Sequence, residues 1–520
     1  MYRTIGLEIR SLAQSYRKTG NSLPEIEEDP TVPNRTSTKY PEVRPSMQYL
    51  FDDNLAVSFQ KVVEKSLIEF FKEHDLTSFQ KMLRDGMNSI CAEIQKRLLE
   101  RIDDHFVSNA DHRKNWVIER RNDAKTILSP FGQITYRRTY FKNKKTGQYA
   151  HLADQVVGYS PHRRLDSLLE ADIVTEVAEL SYRKAGMSQE RNVPGTGVSG
   201  QTVMNLVRKF KPEKILIKKQ VKEKRKCRVI YIEADEDHVS HGEKGVPAFE
   251  QRLVYVHEGA VRVGKNRSRL VGKKYFTFPP GVGSEEIWGE IWRYLDATYD
   301  LEETEYIFVL GDGAGWIKSG AEYIPTARYV MDRFHLRQAI QRAAGADENK
   351  RAALTKAVWD AGWTDMNRLL ISFLEEAEQE SRRESIEKVI KYLNNNWQGI
   401  KAHNTYREVL VGCSAEGHVS HVLSARLSSR PMGWSYVGAN QVAHLRVHHA
   451  NGVDLHAAYL KGHYRTKAVS LDRSINPPTT LAKASGESYE VFDNVPTLRR
   501  GARLSLGYLL RRISNGNSDF

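Results

Sequence analysis

Asp235, Asp312 and Glu416 are the residues whose type and setting best suit them to chemistry. Asp235 follows the apolar run Val229–Ile232, and Asp312 follows Tyr306–Leu310. Glu416 opens the segment Cys413-Ser-Ala-Glu-Gly-His-Val-Ser-His-Val-Leu. Short β-branched and aromatic runs read as buried strands. Each Asp is therefore expected where a central strand leaves its sheet, the edge at which open α/β sheets gather ligands. Glu416 stands at the start of a helix far along the chain, so only the fold could bring it to the other two. Three converging carboxylates need a counter-charge, and oxygen-only ligands suit Mg²⁺ or Mn²⁺. The chemistry expected is divalent-metal phosphoryl transfer at Asp235, Asp312 and Glu416.

The local contexts sharpen this expectation against the plainer reading of turn and cap residues. Gly311, Gly313 and Gly315 surround Asp312 and permit close approach of backbone or ligand. Glu233, Asp235, Glu236 and Asp237 crowd four acids into five positions, and strand alternation puts Glu233, Asp235 and Asp237 on one face. Asp237 is thus the alternative first ligand. Asp332 and His335 are possible supporting residues, the competing reading being a helix-start Asp and a packed His. His418, His421, His444, His448 and His449 are explained as neighbours of the site or helix-surface positions rather than a zinc centre.

The elements that must position these residues follow from periodicity. Residues 1–46 are polar and proline-rich and read as a flexible leader. Residues 47–125 carry helical spacing, as in Phe59, Val62, Val63, Leu67 and later Ile90, Ile94, Leu98 and Ile102. Residues 126–226 combine a β-hairpin (Ile134–Phe141, a turn through Asn143–Gly147, then Tyr149), a helix over 166–181 and a second helix opened by Ser199 as N-cap. The helix pair is compatible with a helix-turn-helix DNA reader. A basic linker follows: 208–228 hold eleven Lys or Arg against two Glu.

From 227 the pattern is three meandering strands, a helix, a strand, a helix and a strand. That is the order of a ribonuclease H-like α/β core, a mixed sheet flanked by helices. The core runs over 227–335, a helical insertion occupies 336–412, the C-terminal core helices occupy 413–475, and a tail covers 476–520.

The chain has 520 residues, a formal net charge of +13, 40% apolar and 28% charged residues. No run approaches the roughly 18 apolar residues of a membrane span. Three isolated cysteines argue against a disulfide framework or a zinc finger, and suit a reducing cytoplasm. The positive balance points to a polyanion, nucleic acid foremost, and double-stranded DNA is the partner that the resemblance given below implies. Candidate contacts are Lys218, Lys219, Lys222, Lys224, Arg225 and Lys226 of the linker, Arg137 and Arg138 of the hairpin, and Arg430. The last lies in Arg426–Trp434, where basic and aromatic groups could hold a strand by phosphate contact and stacking.

The phrases Tyr231–Val239, Gly311-Asp-Gly-Ala314, Asp332-Arg-Phe-His-Leu336 and Ser414–Leu423 resemble a family, the Mutator-like DDE transposases. They are similar in particular to the bacterial insertion-sequence branch ISLre-two, long filed as an uncharacterised protein family. The resemblance spans about residues 55–470. It implies a ribonuclease H-like catalytic domain, two Mg²⁺ ions, cleavage at element ends with strand transfer into target DNA, and a homo-oligomer in the end complex. Asp332 and His335 match that group's Cys-or-Asp, two residues, His motif. A ribonuclease H-like nuclease or resolvase, and a non-catalytic domesticated DNA-binding protein, remain as alternatives.

Overall fold

The computed structural model describes residues 53–191, 193–214, 223–265, 267–360 and 362–465. The leader assigned to 1–46, the tail assigned to 476–520, and Lys218, Lys219 and Lys222 fall outside them.

The helical spacing of the N-terminal region forms α1 (Asp53–Glu73) and α2 (Leu76–Ser108). Asp75 caps α2 by accepting the amides of Thr77 and Ser78, each at 2.9 Å. At Gly86 a Cβ would lie 2.4 Å from Val62, so the two helices touch there through a bare backbone. The helical region ends with α3 (Ala110–Arg113), short of the expected 125. Strand β1 (Trp116–Ser129) takes over, because its alternating side chains pair along β2 (Gly132–Asn143), for example Ile127 with Ile134. The expected partner across the Asn143–Gly147 turn, β3 (Tyr149–Ala150), contributes only two residue pairs.

Ile134, Tyr136 and Arg138 share a buried face as alternation requires. The consequence for Arg138 is a correction. Its guanidinium is buried against Asp154, which also receives Lys125 Nζ at 2.8 Å and the Tyr136 hydroxyl at 2.6 Å. Arg138 holds α4 (Leu152–Val156) to the hairpin and has no free face for phosphate. Arg137 on the opposite face is exposed.

The next helices are α5 (Ser167–Glu176), α6 (Tyr182–Gly186) and α7 (Gly200–Phe210). Ser199 caps α7 by accepting the Thr202 amide, as read. The separation at residue 226 does not hold structurally. Leu169, Val174, Val203, Leu206 and Val207 share one apolar core with Leu253, Leu423, Val442 and Leu445 from the later elements. A residue run of 187–199 separates α6 from α7, too long for the tight turn of a helix-turn-helix.

The central sheet has five strands in the order β10-β9-β4-β5-β8. They are β4 (Val229–Val239), β5 (Phe249–His257), β8 (Lys274–Thr277), β9 (Tyr306–Gly311) and β10 (Ala327–Met331). β4, β5 and β8 run antiparallel; β9 and β10 run parallel to β4. Between β5 and β8 the chain makes a separate ribbon, β6 (Ala260–Gly264) with β7 (Arg267–Leu270), that the sequence reading did not anticipate.

One face of the sheet is sealed by α8 (Ser284–Thr298), whose Ile287, Trp288, Ile291 and Leu295 pack on Ile230, Ile232, Val254 and Val309. After α9 (Gly315–Tyr323) and β10 comes a four-helix insertion with its own core: α10 (Arg333–Ala344), α11 (Glu348–Asp360), α12 (Trp363–Glu375) and α13 (Glu380–Thr405). The other face is covered by the end of α13, α14 (Ala415–Val419), a π turn over Ser420–Ser424, α15 (Ala425–Leu427) and α16 (Tyr436–Ala450), with α17 (Leu455–Arg465) behind. Among the described residues no helix is long and apolar enough to cross a membrane.

Candidate metal centre

β4 carries the four crowded acids, and each has a distinct fate. Asp235 is not at the strand's end, since β4 continues to Val239 and Asp235 pairs with Leu253 of β5. The parallel pairing with β9 stops at Glu233 and Leu310. Asp235 therefore stands just past the point where β9 parts from β4, which opens one side of the sheet.

Glu233 is wholly buried and accepts from His257 at 2.9 Å, from the Tyr255 hydroxyl and from the Ser414 amide at 2.6 Å. Burial opposes its ionisation, but the His257 contact and these hydrogen bonds outweigh burial and hold its pKa below the ordinary value. Glu236 faces the other side of the sheet and accepts from Trp316 Nε1 at 2.5 Å. Asp237, the alternative first ligand, accepts from the hydroxyls of Ser424 (2.9 Å) and Ser428 (2.6 Å). It ties β4 to the helical cap.

Asp235 and Asp237 each have an Oδ2 buried without a hydrogen-bond partner, at 7% and 6% exposure. They differ in what holds the other oxygen: two serine hydroxyls bind Asp237, whereas Asp235 accepts only the adjacent Glu236 amide. Burial pushes the pKa of Asp235 up to about 7; the Glu236 amide works against this rise, and the charges of Asp312 and Glu416 add to it. A buried carboxylate oxygen left without a partner is costly, and at Asp235 Oδ2 the lack coincides with converging ligands. One ligand atom each from Asp235, Glu416 and His335 lie within 4.8 Å of one another.

Glu416 comes from the first turn of α14, as its helix-start pattern predicts, and is exposed. His335 comes from the first turn of α10. Asp332 caps that helix by accepting the Phe334 amide at 3.0 Å, and its Oδ2 lies 3.9 Å from His335 Nε2. Asp332 is buried, and burial raises its pKa. Asp332 is thus the helix-start residue of the plainer reading and stands beside His335, which lies in the cluster itself.

Asp312 lies directly after β9, half-buried, and its Oδ1 accepts the Ala314 amide at 2.8 Å. It is close enough to Asp235 to raise that group's pKa, yet it is not one of the three ligands that converge. Its backbone carbonyl accepts the Tyr392 hydroxyl at 2.5 Å, so the insertion pins this loop. The set nearest to ligation is two carboxylates and an imidazole, donors that suit Mn²⁺ as well as or better than Mg²⁺.

The expected DNA contacts divide. Lys224, Arg225 and Lys226 are surface residues, but each has an acidic partner: Asp296 at 3.3 Å, Glu258 at 2.7 Å and Glu303 at 3.2 Å. Arg430 is exposed. Trp434 is buried and donates to the Leu427 carbonyl at 3.0 Å, with buried Arg426 over its ring. Neither can stack on a base. His418, His444 and His448 are held by Tyr275, the Asn440 carbonyl and the Pro212 carbonyl, outside the cluster. The anchoring role of Glu233 and the serines that hold Asp237 escaped sequence reasoning. The shared face of Glu233 and Asp235 was the available signal.

Fold and site together define an α/β protein whose mixed five-stranded sheet carries a carboxylate–imidazole cluster where two central strands diverge. The chain belongs to the uncharacterised protein family UPF0236, whose family model matches residues 71–463. A UPF0236 protein of Caldanaerobacter subterraneus subsp. tengcongensis is 34% identical over 412 residues, covering 76% of this chain and 85% of the relative. A UPF0236 protein from Streptococcus gallolyticus, named for the vanSb 3′ region, is 25% identical over 429 residues, covering 80% and 92%.

Proposed function

We propose that this protein is a DDE-type DNA transposase of the Mutator-like group, cleaving DNA at the ends of an insertion sequence and joining them to target DNA. The observation that carries the reading is the buried, unpartnered Asp235 oxygen converging with Glu416 and His335 beside Asp312. The sheet supports it. In chain order its strands lie 3-2-1-4-5, the first three antiparallel and the last two parallel, the arrangement of a ribonuclease H-like core. The Caldanaerobacter relative's name joins eleven locus designations in one organism, a multiplicity that suits a mobile element.

Asp235, Glu416 and His335 would hold one Mg²⁺ or Mn²⁺, with Asp312 and Asp235 serving a second. Bound ions would supply Lewis acidity at the phosphate and lower the pKa of the attacking oxygen. The chain's own part is to fix these ligands on a rigid sheet and to keep Asp235 desolvated. In the first step a water oxygen bonds to phosphorus while the P–O3′ bond breaks, freeing a 3′ hydroxyl. In the second, that hydroxyl attacks a target phosphodiester and displaces another 3′ oxygen. No covalent protein intermediate is required. The partners are element-end and target duplexes, with more than one copy of the chain in the end complex.

The test is an end-cleavage and strand-transfer assay with Mn²⁺ or Mg²⁺ on the element's own flanking DNA. Asp235→Asn, Asp312→Asn and Glu416→Gln should each abolish products while leaving DNA binding intact. Activity equal to the unaltered protein in all three would overturn the assignment. Cleavage without any joined product would favour a nuclease or resolvase.

A further inference from the structure

The β6–β7 ribbon lies outside the site and meets the core only through Leu270 at its base. It leaves the sheet where β5 ends at His257, opposite Tyr231 of β4. Its base thus lies toward the far end of β4 from Asp235, about 13 Å away along the strand. The β5–β8 ladder continues into it through Glu258 N to the Val271 carbonyl and Val271 N to the Gly259 carbonyl, each at 2.9 Å. It is therefore held in line with the sheet.

Residues 259–278 carry six Lys or Arg and no Asp or Glu. Every residue of β6 is exposed, as are Lys265, Arg267 and Arg269. Val261 (43% exposed) pairs with Arg269, so Arg267 shares their face. Arg262 folds back onto the carbonyls of Gly264 and Lys265 and stiffens the tip. Lys265, Arg267 and Arg269 have no ion-pair partner among the described residues, whereas Lys224, Arg225, Lys226 and Arg228 of the linker all have one. The acid nearest the ribbon's base, Glu258, is occupied by Arg225 and by the Tyr299 hydroxyl.

We infer that the β6–β7 ribbon is a duplex-DNA contact, with Lys265, Arg267 and Arg269 binding backbone phosphates and the ribbon lying along a groove. A two-stranded ribbon fits the major groove of B-form DNA, and three unpaired cations on an acid-free segment are complementary to phosphate. A protein partner would be expected to leave acids or a broader apolar surface here, and the ribbon offers only Val261 and Val263. The inference specifies where the DNA of the proposed function is held away from the chemistry. It rests on that reading only for the identity of the duplex.

The experiment compares the unaltered full chain, Lys265→Gln/Arg267→Gln/Arg269→Gln and Asp235→Asn. Each is titrated onto a labelled blunt duplex of arbitrary sequence between about 50 and about 200 mM salt. The triple variant should lower the slope of log affinity against log salt by about 2.7, at about 0.9 per lost phosphate contact, and weaken binding more than tenfold. Asp235→Asn should keep the original slope. Far-ultraviolet circular dichroism and the thermal midpoint of the triple variant should match the unaltered protein, since its three side chains support nothing. An unchanged slope and affinity in a folded triple variant overturn the ribbon assignment, whatever the cleavage assay shows. Ribbon-dependent binding by a protein that never cleaves leaves the ribbon standing and removes the transposase reading. A Val261→Ser/Val263→Ser variant that dissociates a dimer while the triple variant binds DNA normally would assign the ribbon to a second copy of the chain and overturn the proposal.

Discussion

The Glu233 carboxylate accepts the backbone amide of Ser414 at 2.6 Å, across 181 positions of sequence. That bond, with the Ser414 and Cys413 side chains approaching the same oxygen at 3.3 Å, fixes the entry to α14 two residues before Glu416. Glu233 is therefore a positioning residue that joins the strand bearing Asp235 to the helix bearing Glu416. Glu233→Gln loses the charge that His257 faces in a fully buried setting. We expect a stability loss of about 3 kcal/mol in urea unfolding, together with weaker Mn²⁺ binding. A variant within experimental error of the original on both counts would show that the anchor is idle.

The glycines around Asp312 are not equivalent. Gly313 has φ +96°, and a Cβ there would fall 2.4 Å from the Asn396 side chain of α13; at Gly315 a Cβ would meet nothing. Gly313→Ala should therefore cost on the order of 1–3 kcal/mol and displace Asp312, lowering cleavage. Gly315→Ala should leave both unchanged. Thermal midpoints and cleavage rates of the two variants, measured together, check this, and equal behaviour would refute the loop's dependence on the insertion.

The pKa of Asp235, raised to about 7, has a defined sign. A carboxyl that holds its proton more tightly when folded than when unfolded makes stability fall as pH rises between about 4 and about 7. A metal ion that takes the proton's place should restore what is lost. Mn²⁺ should raise the thermal midpoint clearly near pH 8 and barely near pH 5.5, and Asp235→Asn should remove the dependence on Mn²⁺. A shift of equal size at both pH values would place the ion elsewhere.

His448 is buried on α16, with Nε2 3.0 Å from the Pro212 carbonyl, and burial holds its pKa down at about 4. The unfolded chain takes up that proton near pH 6.5, so stability is complete above that value and declines as pH falls toward about 4. The decline attributable to this residue is at most about 3 kcal/mol. Urea midpoints across this range, for the original chain and His448→Gln, check it: the variant should show the shallower acid slope.

Much of the fold was legible in the sequence because the central strands are nearly continuous apolar runs. Val229–Ile232 and Tyr306–Leu310 could only be buried strands, and Ser284–Thr298 shows the helical spacing that packs on them. Short polar elements were not legible. Trp116–Ser129 alternates weakly and reads as a continuation of the preceding helix, and the ribbon over 260–270 has no buried face to impose a period.

The same division holds for the site. Residue type and local context singled out Asp235, Asp312 and Glu416, since an acid that follows an apolar run or opens a helix, among glycines or other acids, is visible without a fold. Which acid remains free was decided only by tertiary contacts. Glu233 is taken by His257 and Ser414, Asp237 by Ser424 and Ser428, and Glu236 by Trp316, while Asp235 accepts only the adjacent Glu236 amide and converges with His335 and Glu416. Arg138 was equally plausible as a surface cation until the fold turned it onto Asp154. Strand alternation assigns a side chain to a face, but whether that face meets solvent, a partner or another charge depends on elements hundreds of residues away, and those meet only when the chain has folded.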